Sequence, residues 1–177
     1  MGKPKVHDAH LLAERLVQWF RKNGGVLSPD VEIRFSDADG FHCRASKPLC
    51  SGVVATCPLS LTLSYLSLDR TESSVLHVDS SLEKCLGQVP NHVLTYLLLI
   101  EQKAKKTASP WSPYLACLPK PESMTTPLWF DAEDMRCLAG TNLAWETKVK
   151  LDQLTGEWTQ AAEAMQRLGI SADTFSL

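Results

Sequence analysis

A chain of 177 residues is long enough for one ordinary domain, or for two small lobes sharing a core. Its 44% hydrophobic and 21% charged residues fit a globular chain and argue against wholesale disorder. With 18 Lys plus Arg against 20 Asp plus Glu, the net charge of -2 lacks the basic excess by which nucleic-acid binders displace counterions, so DNA and RNA are not expected partners.

The first residues, Met-Gly-Lys-Pro-Lys-Val-His-Asp, contain no apolar signal core, and Val6 stands where a myristoylation signal needs Ser or Thr. A cytoplasmic or nuclear chain with reduced thiols and no lipid anchor is therefore expected. Between His10 and Asn23, the residues Leu11, Leu12, Arg15, Leu16, Trp19 and Phe20 recur at three- and four-residue intervals, which predicts an amphipathic helix within residues 1–23. Gly24-Gly25 stops it, because glycine enters the left-handed conformation of a helix C-cap without steric cost.

Residues 24–68 read as a small antiparallel β unit. Val31-Glu32-Ile33-Arg34-Phe35 alternates apolar and polar side chains, as a strand with one buried face does, and Asp37-Ala38-Asp39-Gly40 supplies a turn. Phe41–Ala45 and Gly52–Cys57 are two further short strands, the second ending at Pro58, which cannot donate to a ladder. Leu59, Leu61 and Leu63 continue with a period of two. The polar, Ser-rich run from Asp69 to Ser81 makes residues 69–90 a loop.

From 91 to 177 the pattern is helical. Asn91 is expected to cap a helix through Leu94, Leu97, Leu98 and Glu101 to Lys106, and its apolar run from Val93 to Ile100 falls far short of the ~20 residues of a membrane span. Pro110, Pro113, Pro119 and Pro121 make the next stretch an irregular connector. A short helix over Ala132–Ala139 ends at Gly140, and a long one over Asn142–Leu168, with a bend expected at Gly156, has Leu143, Thr147, Leu151, Leu154, Trp158, Ala161 and Met165 as its inner face.

Chemistry-bearing patterns are sparse. Cys43, Cys50 and Cys57 are evenly spaced and His42 adjoins the first, but no CxxC or HxxxH pair accompanies them. They are read as small, mostly buried apolar residues along consecutive strands; like Cys85, Cys117 and Cys137 they are expected as reduced thiols, and no metal is expected. The sequence has neither a G-x-S-x-G elbow nor a GxxxxGK[ST] phosphate loop. Tyr65, Tyr96 and Tyr114 are read as structural, Trp111, Trp129 and Trp145 as packing a helical lobe, and Lys103, Lys105 and Lys106 as a solvated helix end favoured by the dipole.

Three segments, in order, carry a family resemblance. "QWFRKNGG" followed by "VEIRFSDADGFHCRA", then "GVVATCPLSLTLS", then "SPWSPYLACLPKPESMTTPLWFDAEDMRCLAGTNL" are similar to the Rubisco-methyltransferase-like group of SET-domain proteins over roughly residues 10–145. The resemblance implies an α+β fold: an incomplete SET-type antiparallel β unit with a helical insertion lobe. It also implies S-adenosylmethionine as cofactor and a lysine-bearing protein as substrate. In the family's Glu-Gly-x-Gly loop the glycines let backbone approach the cofactor, and the matching cofactor-binding positions here are Asp39, Gly40, Phe41 and His42.

His42 replaces the second glycine, so its ring is expected in space that the cofactor uses. The family's Asn-His motif and channel tyrosine follow the helical insertion, whereas Asn91-His92 precedes it, so no catalytic residue is assigned and the methyl-transfer site is expected to be incomplete. Two functions follow as expectations. One is a protein-lysine methyltransferase that retains some activity or is complemented by another chain. The other is a non-catalytic scaffold that binds a protein partner or a different ligand, or self-associates through unpaired strand edges.

Overall fold

The computed structural model describes residues 6–49 and 52–175, and it is α+β as the sequence implies. Helix α1 (Val6–Lys22) ends where Gly24 takes φ +87°, and Arg21 and Lys22 in its last turn complement the helix dipole. Gly25 lies directly beneath Phe20: a Cβ there would come within 2.6 Å of the ring, so glycine is what lets the chain double back against the helix.

Two small antiparallel sheets follow. Strand β1 (Val26–Leu27) pairs with β4 (Ala55–Thr56), and β2 (Val31–Ser36) pairs with β3 (Gly40–Ala45) in a register running from Val31 opposite Ala45 to Ser36 opposite Gly40. Helix α1 lies against β2, and the small residues Ala9 and Ala13 are its buried positions. The expected strand Gly52–Cys57 reduces to Ala55–Thr56. The period of two through Leu59, Leu61 and Leu63 is also corrected, because Leu59–Leu61 forms a 3-10 turn. Pro58 fixes φ at -61° and its carbonyl accepts from the Leu61 N–H at 3.0 Å, so Leu61 turns inward while Leu59 stays exposed.

The core lies in the other half. Helix α2 (Asn91–Ala104) buries Val93, Leu94, Leu97 and Leu98 against Ala161, Ala164 and Met165 of α5 (Asn142–Arg167), with Ile170 and Phe175 closing one side. The segment expected as a loop, 69–90, supplies Leu82, Cys85 and Val89 to this cluster and forms a 3-10 turn over Ser81–Cys85. Its polar side chains tie it down: Ser80 Oγ accepts from the Leu82 N–H and donates to Glu101, and Arg70 bridges Asp79 and Glu83.

Asn91 is not the cap of α2. Pro90 holds that position with extended backbone and offers no side-chain bond, and the helix ends at Ala104 before Lys106 adopts φ +51°. Between α2 and α5, the short helices α3 (Ser112–Leu115) and α4 (Ala132–Cys137) interrupt the proline-rich connector. Trp111 is fully buried there and donates its indole N–H to the Leu61 carbonyl at 2.9 Å, which fastens the connector to the end of the β unit. Asp131 caps α4 through the Glu133 and Asp134 N–H groups, and Thr141 caps α5 through that of Ala144.

The expected inner face of α5 holds only in part. Thr147, Ala161 and Met165 are buried, but Leu143 and Leu151 are 49% and 44% exposed, because the helix runs on past the elements it packs against.

Candidate functional site

The four residues singled out at the β2–β3 connection are brought together in one tight turn. Gly40 opens β3 with φ +66°, a conformation that costs other residues strain, and a Cβ placed on it would meet nothing within 4 Å. Ser36 closes the turn from the other strand: its hydroxyl donates to the Asp39 carboxylate at 2.9 Å and accepts from the Asp39 N–H at 3.0 Å. Phe41 stacks edge-on to its cross-strand partner Phe35, centroids 5.1 Å apart, so the ring pair anchors the hairpin tip.

His42 stands opposite Arg34, and its Nδ1 lies 3.0 Å from the Gly40 carbonyl oxygen. An Nδ1–H donating to that carbonyl leaves Nε2 as the basic nitrogen. The ring is thus folded back over the turn instead of reaching outward. The polar face of the hairpin carries Glu32, Arg34, His42 and Arg44, with Arg34 bonded to Glu32. On the other face burial fades from Val31 through Ile33 and Phe35 to the exposed Cys43 and Ala45. This is a lightly held backbone loop with open space over a glycine. It offers a cradle for a ligand's edge, and the Asp39 carboxylate within it is bonded to Ser36.

The remaining sequence candidates fall elsewhere. Asn91 begins α2 and His92 bonds through Nε2 to Glu157 of α5 at 3.1 Å, a contact between helices. Gln153 and then His92, by hydrogen bonding, hold the Glu157 carboxyl below the ordinary carboxylate range. Tyr65 is packed against the core, while Tyr96 and Tyr114 are exposed. Trp129 and Trp145 do not pack the helical lobe as expected: they are 47% and 63% exposed, because the turn 127–129 and the first half of α5 lie outside it. Cys43, on β3, and Cys57, just past β4, are likewise exposed and not buried apolar residues; Cys137 is exposed too. Cys85 is buried, and burial pushes its thiol and that of Cys117 up. Cys50 lies outside the described residues.

Sequence reasoning missed a set of inward-facing polar atoms. Ser64 Oγ, Ser67 Oγ, His77 Nδ1 and Gln102 Oε1 are buried without a hydrogen-bond partner among the described residues. The first three lie along one folded segment, drawn together by the Ser67 N–H to the Ser64 carbonyl and the Val78 N–H to the Ser67 carbonyl. Each such atom costs roughly 1–3 kcal/mol of lost solvation. No motif announces them, because their burial depends on tertiary packing. Among the described residues, no cluster of three or more His, Cys, Asp or Glu is arranged to hold a metal, and no helix is long and apolar enough to cross a membrane.

No family model matches the chain. It is similar to the actin-histidine N-methyltransferases of Mus musculus and Rattus norvegicus, 28% identical over 127 residues in each. That of Callithrix jacchus matches equally, again at 28% over 127 residues. The match covers 71% of this chain and 20% of each relative, so the chain spans about a fifth of the length of the curated relatives it matches. Over most of its length, then, the chain is similar to proteins named for methyl transfer to a protein residue.

Proposed function

We propose that the 36–42 hairpin is the cofactor-facing edge of a SET-type protein methyltransferase fold, with S-adenosylmethionine lying over Gly40 and a side-chain nitrogen of a protein as acceptor. The observation that carries this reading is the positive-φ glycine at the tip of a lightly buried hairpin, with open space where its Cβ would be. The residues present fit such a group at Asp39, Gly40 and Phe41, whose backbone would hold its edge while the Ser36–Asp39 bonds and the Phe35–Phe41 pair keep the turn in shape. When bound, the cofactor supplies an electrophilic methyl group on a sulfonium. The hairpin itself supplies position only.

The resemblance in sequence implies lysine as the acceptor, and the similar proteins are named for histidine. Either nitrogen attacks in its neutral form. A histidine acceptor, with an ordinary pKa of about 6.5, is neutral by pH 8, whereas lysine, at about 10.4, gains neutral form up to pH 10 and beyond. Calorimetric titration with S-adenosylmethionine, followed by incubation of the labelled cofactor with lysine- and histidine-bearing protein substrates across that pH range, tests the reading and separates the acceptors. Absence of heat at millimolar cofactor together with absence of transfer contradicts it.

His42 favours a second reading, in which the scaffold is non-catalytic and binds a protein partner. Its ring already engages the Gly40 carbonyl, on the surface the cofactor would approach. His42→Gly discriminates: cofactor affinity gained by the variant points to a local block, and none gained points to the scaffold.

A further inference from the structure

The first half of α5 is a helical arm whose outer face is patterned. Of residues 142–156, Thr147 alone is buried, and Trp145 at 63% and Val149 at 42% exposed stand on the side away from Thr147, Ala161 and Met165. At 3.6 residues per turn, Trp145, Val149, Asp152 and Gly156 fall within about 60° of one another on the helix. They form a stripe with a large ring at one end and no side chain at the other. Gly156 is mid-helix, where glycine costs about 1 kcal/mol relative to alanine, and a Cβ there would meet nothing within 4 Å. The fold's own packing therefore gives no reason for a glycine at this position.

Charges complete the pattern. Lys148 flanks the stripe and Asp152 lies within it, both exposed, and neither makes an ion pair or hydrogen bond through its side chain among the described residues. If a second α5 is laid antiparallel on this face with its centre near Lys150, residue 145 of each copy falls near residue 156 of the other, and residue 148 falls opposite residue 152. Each Trp145 then fills the space over the other copy's Gly156, and each Lys148 meets the other copy's Asp152. Both contacts occur twice about one two-fold axis, which is the self-complementarity a closed dimer requires. A differently charged partner would satisfy the charges or the ring, but this spacing satisfies both at once with the same sequence.

We propose that the outer face of α5, from Trp145 to Gly156, is a self-association surface through which two copies of this chain pair antiparallel. The contact is small, so the dimer is a weak one that forms reversibly with concentration. This surface is separate from the hairpin and does not depend on how the hairpin is used.

Sedimentation equilibrium on the full chain from roughly 10 µM to 1 mM, where a small interface dissociates, tests this. The expected result is a rise from 19.6 kDa toward twice that mass. Trp145→Ala, Gly156→Leu and Lys148→Glu each weaken association by about tenfold or more, and Lys148→Glu combined with Asp152→Lys restores it toward the unmodified level. Gly156→Leu also raises helix propensity, so an unchanged or higher unfolding midpoint alongside lost association separates interface loss from misfolding. A monomer at every concentration overturns the proposal. So does a dimer that none of the three single substitutions weakens, or one that the charge reversal fails to rescue.

Discussion

Strands β2 and β3 bury one residue of their twelve, Val31, whereas α2 buries five of its 14. The hairpin is held by its own ladder, one aromatic pair and a helix along one strand. The helical lobe is held by a closed apolar cluster. A two-stranded sheet is marginal by itself, and the segments that meet ligands are drawn from such low-stability parts of a fold. The region with the candidate chemistry is thus the one that the core supports least.

Substitutions of matched kind in the two regions expose this difference most strongly. Leu98→Ala, deep in the cluster, is expected to cost roughly 2–5 kcal/mol in urea unfolding, and Ile33→Ala in the hairpin about 1 kcal/mol. Equal losses would break the contrast. Trp111→Phe comes next, at roughly 1–3 kcal/mol, because it strands the Leu61 carbonyl that joins the two regions. A hairpin that exchanges its amides faster in this variant, while α2 does not, would sharpen the picture of Trp111 as the fastening. Gly40→Ala is expected to cost about 1 kcal/mol through its positive φ, with the change confined to hairpin amides in a heteronuclear NMR spectrum.

The smallest effect is a pH dependence at the helix pair. The Glu157 carboxyl titrates below its unfolded-state value, so its contribution is present above that value, about pH 4.3, and is lost as pH falls through the lower folded-state value. Glu157→Gln is therefore expected to lower the thermal midpoint near pH 7, where the charge contributes, and to converge on the parent protein below about pH 4, so that the acid limb of the stability curve flattens.

Local periodicity made α1, the β2–β3 hairpin and α5 legible in sequence. Val31, Ile33 and Phe35 alternate because one face of the strand meets α1, and the Asp37–Gly40 turn reads directly from a glycine that tolerates positive φ. Segments whose burial is set from a distance were not legible. Leu82, Cys85 and Val89 sit in a largely polar stretch, and the distant helices α2 and α5 make them core. Leu59 and Leu61 alternate with serine yet follow a three-residue turn, because Pro58 fixes the backbone first. Leu143 and Leu151 have helical spacing yet stay largely exposed. At the candidate site the turn was legible, but the fold of His42 back onto the Gly40 carbonyl was not, since side-chain direction is decided in three dimensions.

The most direct test of the central claim is a titration of isotope-labelled protein with S-adenosylmethionine, followed at every backbone amide. The account predicts saturable shifts concentrated at Asp39, Gly40, Phe41 and His42, with α2 amides unmoved. Shifts that cluster in the helical lobe, or none at millimolar cofactor, would contradict it.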